Sequence, residues 1–220
     1  MYKLFPAAVM SAVLTLSATV MADEVETRTA NSGQLVMEDV PTIPEGLVND
    51  LNRYQNVRSA GFRAWTADSQ GLYVSTRFGD VSQLHRVDNP GGARNQLTFF
   101  EEPVGSVSRQ PGGNSLVFTM DAGGSEFSQI FLLDPSGYED AQMVSDGESQ
   151  NGSVTWSRDG NMLAFRSTRR NGSSNDVWVM SVEDPDTARM ALESPDGTYW
   201  MPVDFSADAK QLLVLNYVGN

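Results

Sequence analysis

The stretch Trp156-Ser-Arg-Asp-Gly-Asn-Met-Leu163 decides the fold, because it recurs along the chain. It returns as Trp65-Thr-Ala-Asp-Ser-Gln-Gly-Leu72 and as Phe205-Ser-Ala-Asp-Ala-Lys-Gln-Leu212. A degraded copy, Arg109-Gln-Pro-Gly-Gly-Asn-Ser-Leu116, lies between the copies that begin at 65 and 156. The leading residues are 44, 47 and 49 positions apart, and each lies seven residues before a leucine. This spacing indicates one β-hairpin that is repeated four times.

Further short strands follow each hairpin. In the third copy the second strand is predicted at 162–167, the third at 176–182 and the outermost at 188–192. Equivalent runs follow the first two copies, and Gly, Asn and Asp separate them at turns. Four short strands at this period are typical of a propeller blade. We therefore predict an all-β fold, an incomplete β-propeller of about three and a half four-stranded blades, preceded by a short helix.

The repeat also divides the chain. Because the fourth copy stops in its second strand, we expect the chain to be part of a larger protein. The predicted segments are a signal peptide at 1–22, a flexible lead-in at 23–40, a helical segment at 41–56 and a partial propeller at 57–220. The blades are expected at about 57–100, 101–147, 148–194 and, incomplete, 195–220.

The first residues predict export. Lys3 is the only charge before Asp23, and an apolar run extends from Leu4 to Val20. This is the pattern of a secretory signal peptide, and it is too short for a stable membrane span. We therefore expect a periplasmic or extracellular protein with no membrane attachment after cleavage. The absence of cysteine excludes a lipid-anchored cysteine, disulfides and thiol catalysis.

The net charge narrows the class of partner. Without Lys3, 14 basic residues face 28 acidic residues, which gives a net charge of −14. Such a charge repels the phosphates of nucleic acids and anionic membrane surfaces. We therefore predict no nucleic-acid partner.

A helix is predicted just before the propeller. Thr42-Ile-Pro-Glu45 reads as a capping box with proline in the first turn. Leu47, Val48, Leu51 and Tyr54 then form one apolar stripe, which we expect to pack against the propeller.

Equivalent positions in the repeats predict structural roles. Apolar residues at these positions are expected to fill the space between stacked blades. They are Trp65, Leu72, Leu116, Trp156, Leu163, Phe205 and Leu212.

Arg109 departs from the pattern, and two explanations stay open: it pairs with an acid, or the register slips locally. His85, the only histidine, aligns with Phe131 and Trp178, so it is interpreted as a structural ring.

The repeat and two further segments carry a family resemblance. The Trp-Ser-x-Asp-Gly turn resembles those of TolB-type propellers and of the N-terminal propellers of prolyl oligopeptidase family serine peptidases. Leu51–Phe62 is similar to the segment that precedes the propeller in acylaminoacyl- and dipeptidyl-peptidase-like members, and Asp121-Ala-Gly-Gly-Ser-Glu126 resembles their Asp-x-Gly-Gly-x-Glu segment. The resemblance implies that an α/β-hydrolase domain with a Ser-Asp-His triad follows the propeller, which controls access of peptide substrates.

Catalytic motifs are absent from the sequence itself. It contains no Gly-x-Ser-x-Gly motif, so no catalytic residue is assigned on this chain. The parent protein is expected to be a serine peptidase, and the 220-residue chain alone is expected to be inactive. No metal site and no cofactor are predicted, because one histidine and no calcium-loop pattern are present. The alternative is a non-enzymatic TolB-like propeller that binds periplasmic proteins.

The candidate site is a face rather than a motif. Loops between second and third strands and loops between blades lie at the same end of a propeller. Acids there could bind a peptide ammonium group and arginines its carboxylate, whereas the simpler interpretation is that exposed loops are charged. The candidates are Glu101, Glu102, Asp121, Glu126, Arg169 and Arg170, with Glu148 in the same set of loops.

Overall fold

The computed structural model describes residues 25–55, 57–136, 141–195 and 197–219. The predicted signal peptide at 1–22 lies outside these residues. No helix in the described ranges has the length and apolar character needed to cross a membrane.

A hairpin occupies most of the predicted lead-in. Strand β1 (Thr27–Ala30) pairs antiparallel with β2 (Leu35–Glu38) across a turn at 31–33. Asn31 and Gly33 have positive φ angles of 51° and 90°, a conformation that tight turns require. The sequence analysis did not predict this hairpin, because backbone pairing around a suitable turn can form it without an apolar period.

The predicted helix forms, but its packing differs from the prediction. Helix α1 (Glu45–Gln55) has no buried residue. The apolar stripe of Leu47, Val48, Leu51 and Tyr54 is exposed, so the expectation that it packs against the propeller is wrong. The helical period identifies the apolar side of a helix, but it does not show that a surface is available to cover that side.

Three complete blades and one half-blade confirm the predicted fold. Each complete blade is a four-stranded antiparallel sheet with its strands in chain order. Blade I contains β3 (Ala60–Trp65), β4 (Leu72–Thr76), β5 (Gln83–Val87) and β6 (Asn95–Gln96). Blade II contains β7 (Val104–Arg109), β8 (Leu116–Met120), β9 (Gln129–Leu133) and β10 (Gln142–Met143). Blade III contains β11 (Asn151–Trp156), β12 (Met162–Ser167), β13 (Asp176–Ser181) and β14 (Arg189–Leu192), and blade IV contains β15 (Tyr199–Phe205) and β16 (Leu212–Tyr217).

The core lies between blades rather than inside one of them. Alternate residues of each strand face opposite neighbours, because side chains alternate across a sheet. In blade III, Leu163 and Phe165 pack towards blade II, whereas Ala164 packs towards Phe205 of blade IV. Leu116 and its neighbours in blade II pack against blade I. Each blade therefore depends on the next one to bury its faces.

The repeated turn has a specific hydrogen-bonding pattern. In the third copy, the Ser157 hydroxyl donates to Asp159 (2.6 Å) and accepts from the Met162 backbone N–H (2.9 Å). The first copy repeats both contacts through Thr66, and the fourth repeats them through Ser206. The hydroxyl hydrogen bond is the main cause that lowers the pKa of Asp159, Asp68 and Asp208. The motif is therefore a structural turn.

The degraded turn is closed by different contacts. Arg109 donates to the carbonyls of Gln110 (3.0 Å) and Gly113 (2.6 Å) of its own turn. It still pairs with Leu116 across the hairpin, as the seven-residue spacing predicts. Neither earlier explanation applies, because Arg109 binds backbone carbonyls and not an acid, and the pair stays in register. Gln110 also donates to the Gly160 carbonyl (2.9 Å) and so joins the turns of blades II and III.

Trp65 differs from its counterparts in later blades. Trp156 and Phe205 are 9% and 5% exposed, as predicted for residues between blades, whereas Trp65 is 56% exposed. Among the described residues no blade packs on the flank of blade I that carries Trp65. The predicted burial of Trp65 is therefore wrong here, because its position in the repeat is correct but the covering neighbour is absent from the described chain.

Candidate functional site

One end of the blades, called the loop face here, carries all the predicted site residues. It consists of the loops between second and third strands (77–82, 121–128 and 168–175) and of the loops between blades (97–103, 144–150 and the connection from β14 to β15). Antiparallel pairing brings these loops to the same end of the sheets, as predicted.

Four acids on the loop face have no partner in the described chain. Their side chains form no ion pair or hydrogen bond with another described residue. Three of them are exposed and the one at position 102 is half-buried. They are Glu101, Glu102, Glu126 and Glu148. Their carboxylates are therefore free to accept hydrogen bonds from a cationic ligand.

Asp121 has a structural role in its own loop. Its carboxylate accepts hydrogen bonds from the backbone N–H groups of Ala122 (2.8 Å) and Glu126 (3.0 Å) and from the Ser125 hydroxyl (3.2 Å). Gly123 and Gly124 both have positive φ angles, 60° and 73°, which glycine adopts without strain. The Asp-x-Gly-Gly-x-Glu segment thus forms a closed loop in which Asp121 fixes the backbone and Glu126 remains exposed.

Both predicted arginines are occupied by the chain itself. Arg170 donates to both oxygens of the fully buried Asp176 (2.7 and 3.1 Å) and pairs with Glu193 (3.1 Å). Arg169 lies over the Trp178 ring, 4.7 Å from its centroid, and its Nε is 3.5 Å from Asp146. These contacts join the loop at 168–175 to the loop that precedes blade III and to the connection that follows it, so neither guanidinium faces solvent as a free group.

A residue shared by all complete blades was missed by the sequence analysis. The first position of each third strand holds Gln83, Gln129 or Asp176, and its side-chain oxygen accepts a backbone N–H from the following blade-to-blade loop. The three positions are 46 and 47 residues apart, so the same repeat that revealed the hairpins could have revealed them. These hydrogen bonds fix the loops between blades, which form part of the loop face.

The sequence analysis also missed Arg166 at the end of β12. The equivalent positions of blades I and II are Ser75 and Thr119, each three residues after the repeated leucine. Arg166 is 8% exposed and donates from Nη1 to Asn175 (2.5 Å). Its guanidinium lies over the Tyr199 ring, 4.6 Å from the centroid. A cation at a position where blades I and II have a small hydroxyl residue is the sequence signal that could have identified it.

His85 occupies the ring position predicted for it. It is buried beside Phe78, with ring centroids 5.3 Å apart, and its Nδ1 donates to the Gln83 carbonyl (3.0 Å). Its Nε2 is buried without a hydrogen-bond partner. Burial, with a smaller contribution from Arg94, lowers the pKa of His85 below 6.5. The ring is therefore neutral at pH 7.

Within the described ranges no group of three His, Asp or Glu residues is arranged to hold a metal ion.

His85 is expected to make stability depend on pH below neutrality. Its pKa is lower in the folded than in the unfolded chain, so its contribution is fully present above about pH 6.5 and is lost as the pH falls through the folded pKa. The midpoint of thermal unfolding should therefore decrease from pH 7 to pH 5, and the decrease should be smaller in His85→Phe. Because the lowered carboxyl pKa values act below pH 3.8, they do not obscure this range. Equal slopes for the two proteins would contradict the assignment.

Comparison with known proteins identifies similar folds but no matching family or sequence. No protein-family model and no curated protein sequence matches the chain. Among solved structures, TolB from Acinetobacter baumannii is similar over 86% of this chain and 42% of its own, with 17% identity and a TM-score of 0.53. A protein assigned as TolB from Agrobacterium tumefaciens is similar over 88% of this chain and 70% of its own, with 12% identity and a TM-score of 0.51.

An enzyme structure is similar to the same extent. It comes from a structural and mechanistic analysis of two prolyl endopeptidases, and it is similar over 91% of this chain and 36% of its own, with 11% identity and a TM-score of 0.54. The chain thus spans less than half the length of this structure and of the Acinetobacter TolB. At these identities the likeness concerns architecture, and the chain has a TolB-like β-propeller fold.

Proposed function

We propose that the chain is the N-terminal propeller of an exported serine peptidase that hydrolyses peptides. In this proposal a following α/β-hydrolase domain supplies the catalytic triad, and the loop face restricts which peptides reach it. The observation that carries the proposal is the set of unpaired carboxylates on that face, at Glu101, Glu102, Glu126 and Glu148. Carboxylates at the rim of a peptide path would bind an N-terminal ammonium group by charge-assisted hydrogen bonds.

The second candidate is a non-enzymatic propeller that binds proteins in the periplasm. The two TolB structures with the same fold favour it. The gene beyond codon 220 distinguishes the two candidates. Additional repeats followed by Gly-x-Ser-x-Gly, and then by Asp and His, would support the peptidase. A stop codon after the closing blade would support the binding module.

The isolated chain is expected to have no peptidase activity. Its sequence lacks a nucleophile elbow, and its buried histidine lies in a structural ring position. Aminoacyl and peptidyl reporter substrates should be hydrolysed by the protein that includes the downstream domain and not by the 220-residue chain. Hydrolysis by the pure chain that a serine-directed phosphonate blocks would contradict this prediction.

A further inference from the structure

Arg166 is a buried cation without a counter-ion. The residue is 8% exposed, and no carboxylate of the described chain forms an ion pair with it. Its hydrogen bond to Asn175 is to a neutral amide, and Tyr199 contributes only a ring face. Burial lowers the pKa of Arg166, yet a guanidinium stays protonated in proteins. Burying an unpaired charge is costly, so the site requires an explanation.

The remaining donors of Arg166 form one edge of the guanidinium. Nη1 is used by Asn175, whereas Nε is buried with no hydrogen-bond partner among the described residues. No hydrogen bond from Nη2 to a described residue is present either. Nε–H and Nη2–H point in parallel and match the two oxygens of a carboxylate. The free edge is therefore suited to bidentate carboxylate binding.

Gly152 leaves space beside this edge. It pairs with Arg166 across β11 and β12, near the start of the inner strand. A Cβ at position 152 would lie 3.0 Å from Nη2 and 3.9 Å from Nε, in ordinary or tighter contact with both. Glycine at this position thus places no side-chain atom of the inner strand against Nη2 and Nε.

The position of the group connects it to the loop face. Arg166 is the penultimate residue of β12, Asn175 immediately precedes β13, and Tyr199 begins β15, so all three lie at the end of the blades that carries the loop face. Glu101 and Glu102 lie between blades I and II, whereas Arg166 lies between blades III and IV. The unpaired carboxylates of the face thus extend from the connection between blades I and II to the connection between blades II and III, and the unpaired cation follows between blades III and IV.

We propose that Arg166, with Asn175, Tyr199 and the space at Gly152, binds the carboxylate of a peptide at the loop face. The guanidinium edge donates two hydrogen bonds, Asn175 and Tyr199 hold it in orientation, and glycine at position 152 keeps a Cβ away from that edge. A peptide bound there has its C-terminal end towards blades III and IV. The peptide identity rests on the proposed function, but binding by the isolated chain can be measured whether or not a catalytic domain follows.

Isothermal titration of the full chain with acetyl-Ala-Ala-Ala tests the proposal. The free acid should bind at least about tenfold more tightly than its C-terminal amide, as expected for loss of a charge-assisted bond. Acetyl-Ala-Glu-Ala amide distinguishes a side-chain carboxylate from a terminal one. Tighter binding of either carboxylate peptide supports the site and identifies its source. Equal binding of all three peptides, or no binding at millimolar concentration, would overturn it.

Two variants test whether binding depends on the two-donor edge of Arg166 and on the glycine at position 152, rather than on positive charge alone. Arg166→Lys keeps the charge but removes the two-donor edge, and Gly152→Ala fills the space without a positive φ to oppose it. Each should reduce affinity for the free acid at least about tenfold. Arg158→Gln is the control, because it removes an exposed arginine in the hairpin turn at the opposite end of blade III and should leave affinity unchanged. Unchanged affinity in folded Gly152→Ala would contradict the proposed geometry.

The thermal midpoint of Arg166→Met tests whether Arg166 has only a structural role. A buried cation retained for a ligand destabilises the unliganded fold, so methionine should leave the thermal midpoint unchanged or raise it. If Arg166 serves only to hold Tyr199, the midpoint should fall and the carboxylate peptides should show no preference. That pair of results would overturn the proposal.

Discussion

Trp156→Ala is expected to cost about 3–5 kcal/mol of unfolding free energy, the range for removing a large aromatic side chain from a packed core. Trp156 is 9% exposed and packs in the cluster formed by blades II and III. Its Nε1 also donates to the Ser108 hydroxyl across that interface (3.0 Å). The substitution therefore leaves a cavity between blades and removes a hydrogen bond that joins them. Chemical denaturation, under conditions in which the protein unfolds cooperatively, measures the effect.

Trp65→Ala provides a matched control. The two tryptophans occupy the same position of the repeat, but Trp65 is 56% exposed. Its replacement should cost less than about 1 kcal/mol, since little packing is lost at an exposed site. Trp156→Phe should fall between the two, because it keeps most of the buried area and removes the hydrogen bond. Equal losses for Trp65→Ala and Trp156→Ala would contradict the blade order described above.

Local pairings could be predicted from the sequence because the repeat encodes them directly. The seven-residue spacing places Trp156 opposite Leu163 and Trp65 opposite Leu72, and both pairs are present in the structure. Turn residues and apolar alternation act over a few positions, so one copy of the motif contains the information for one hairpin. Repetition then extends this information to the whole array of blades.

Burial of the same residues could not be predicted in every blade. Trp65 and the apolar stripe of α1 have the patterns of buried residues, yet both are exposed. A pattern describes one side of an interface, and burial depends on whether another element covers it. Trp65 and Trp156 occupy the same position of the repeat, and their burial differs because, in the described chain, only Trp156 has a neighbouring blade on its side.

In the candidate site, the positions of the loops could be predicted from the sequence, whereas the contacts of individual side chains could not. Topology places the loops correctly, because antiparallel strands fix which connections share an end. The pairing of Arg170 with Asp176 and Glu193 depends on how two loops of one blade approach each other, which spacing does not reveal. Arg166 differs from its equivalents Ser75 and Thr119 in the sequence, but its burial depends on contact with Tyr199 of the following blade, which the repeat does not reveal.

The second large effect is expected in self-association of the chain. β16 pairs with β15, and no described strand pairs with its other edge. The outward side of blade IV is apolar, with Leu213 and Leu215 63% and 43% exposed, and the flank of blade I exposes Phe62 and Trp65. An unpaired strand edge and bare apolar flanks are sites for association with another chain. The net charge of −13 opposes association but does not cover these surfaces.

Light scattering of purified residues 23–220 should therefore show a mass that rises with concentration in the range of tens of micromolar. Leu213→Glu combined with Leu215→Glu places two charges on the open flank and should shift the chain towards monomer. Leu47→Glu combined with Leu51→Glu is the matched control, because it makes the same change at exposed leucines of α1, which is not part of any blade. If association uses the open blade, only the first pair reduces it. A stable wild-type monomer with one sharp thermal transition would contradict the prediction, since it would mean that the exposed edge and flanks do not drive assembly.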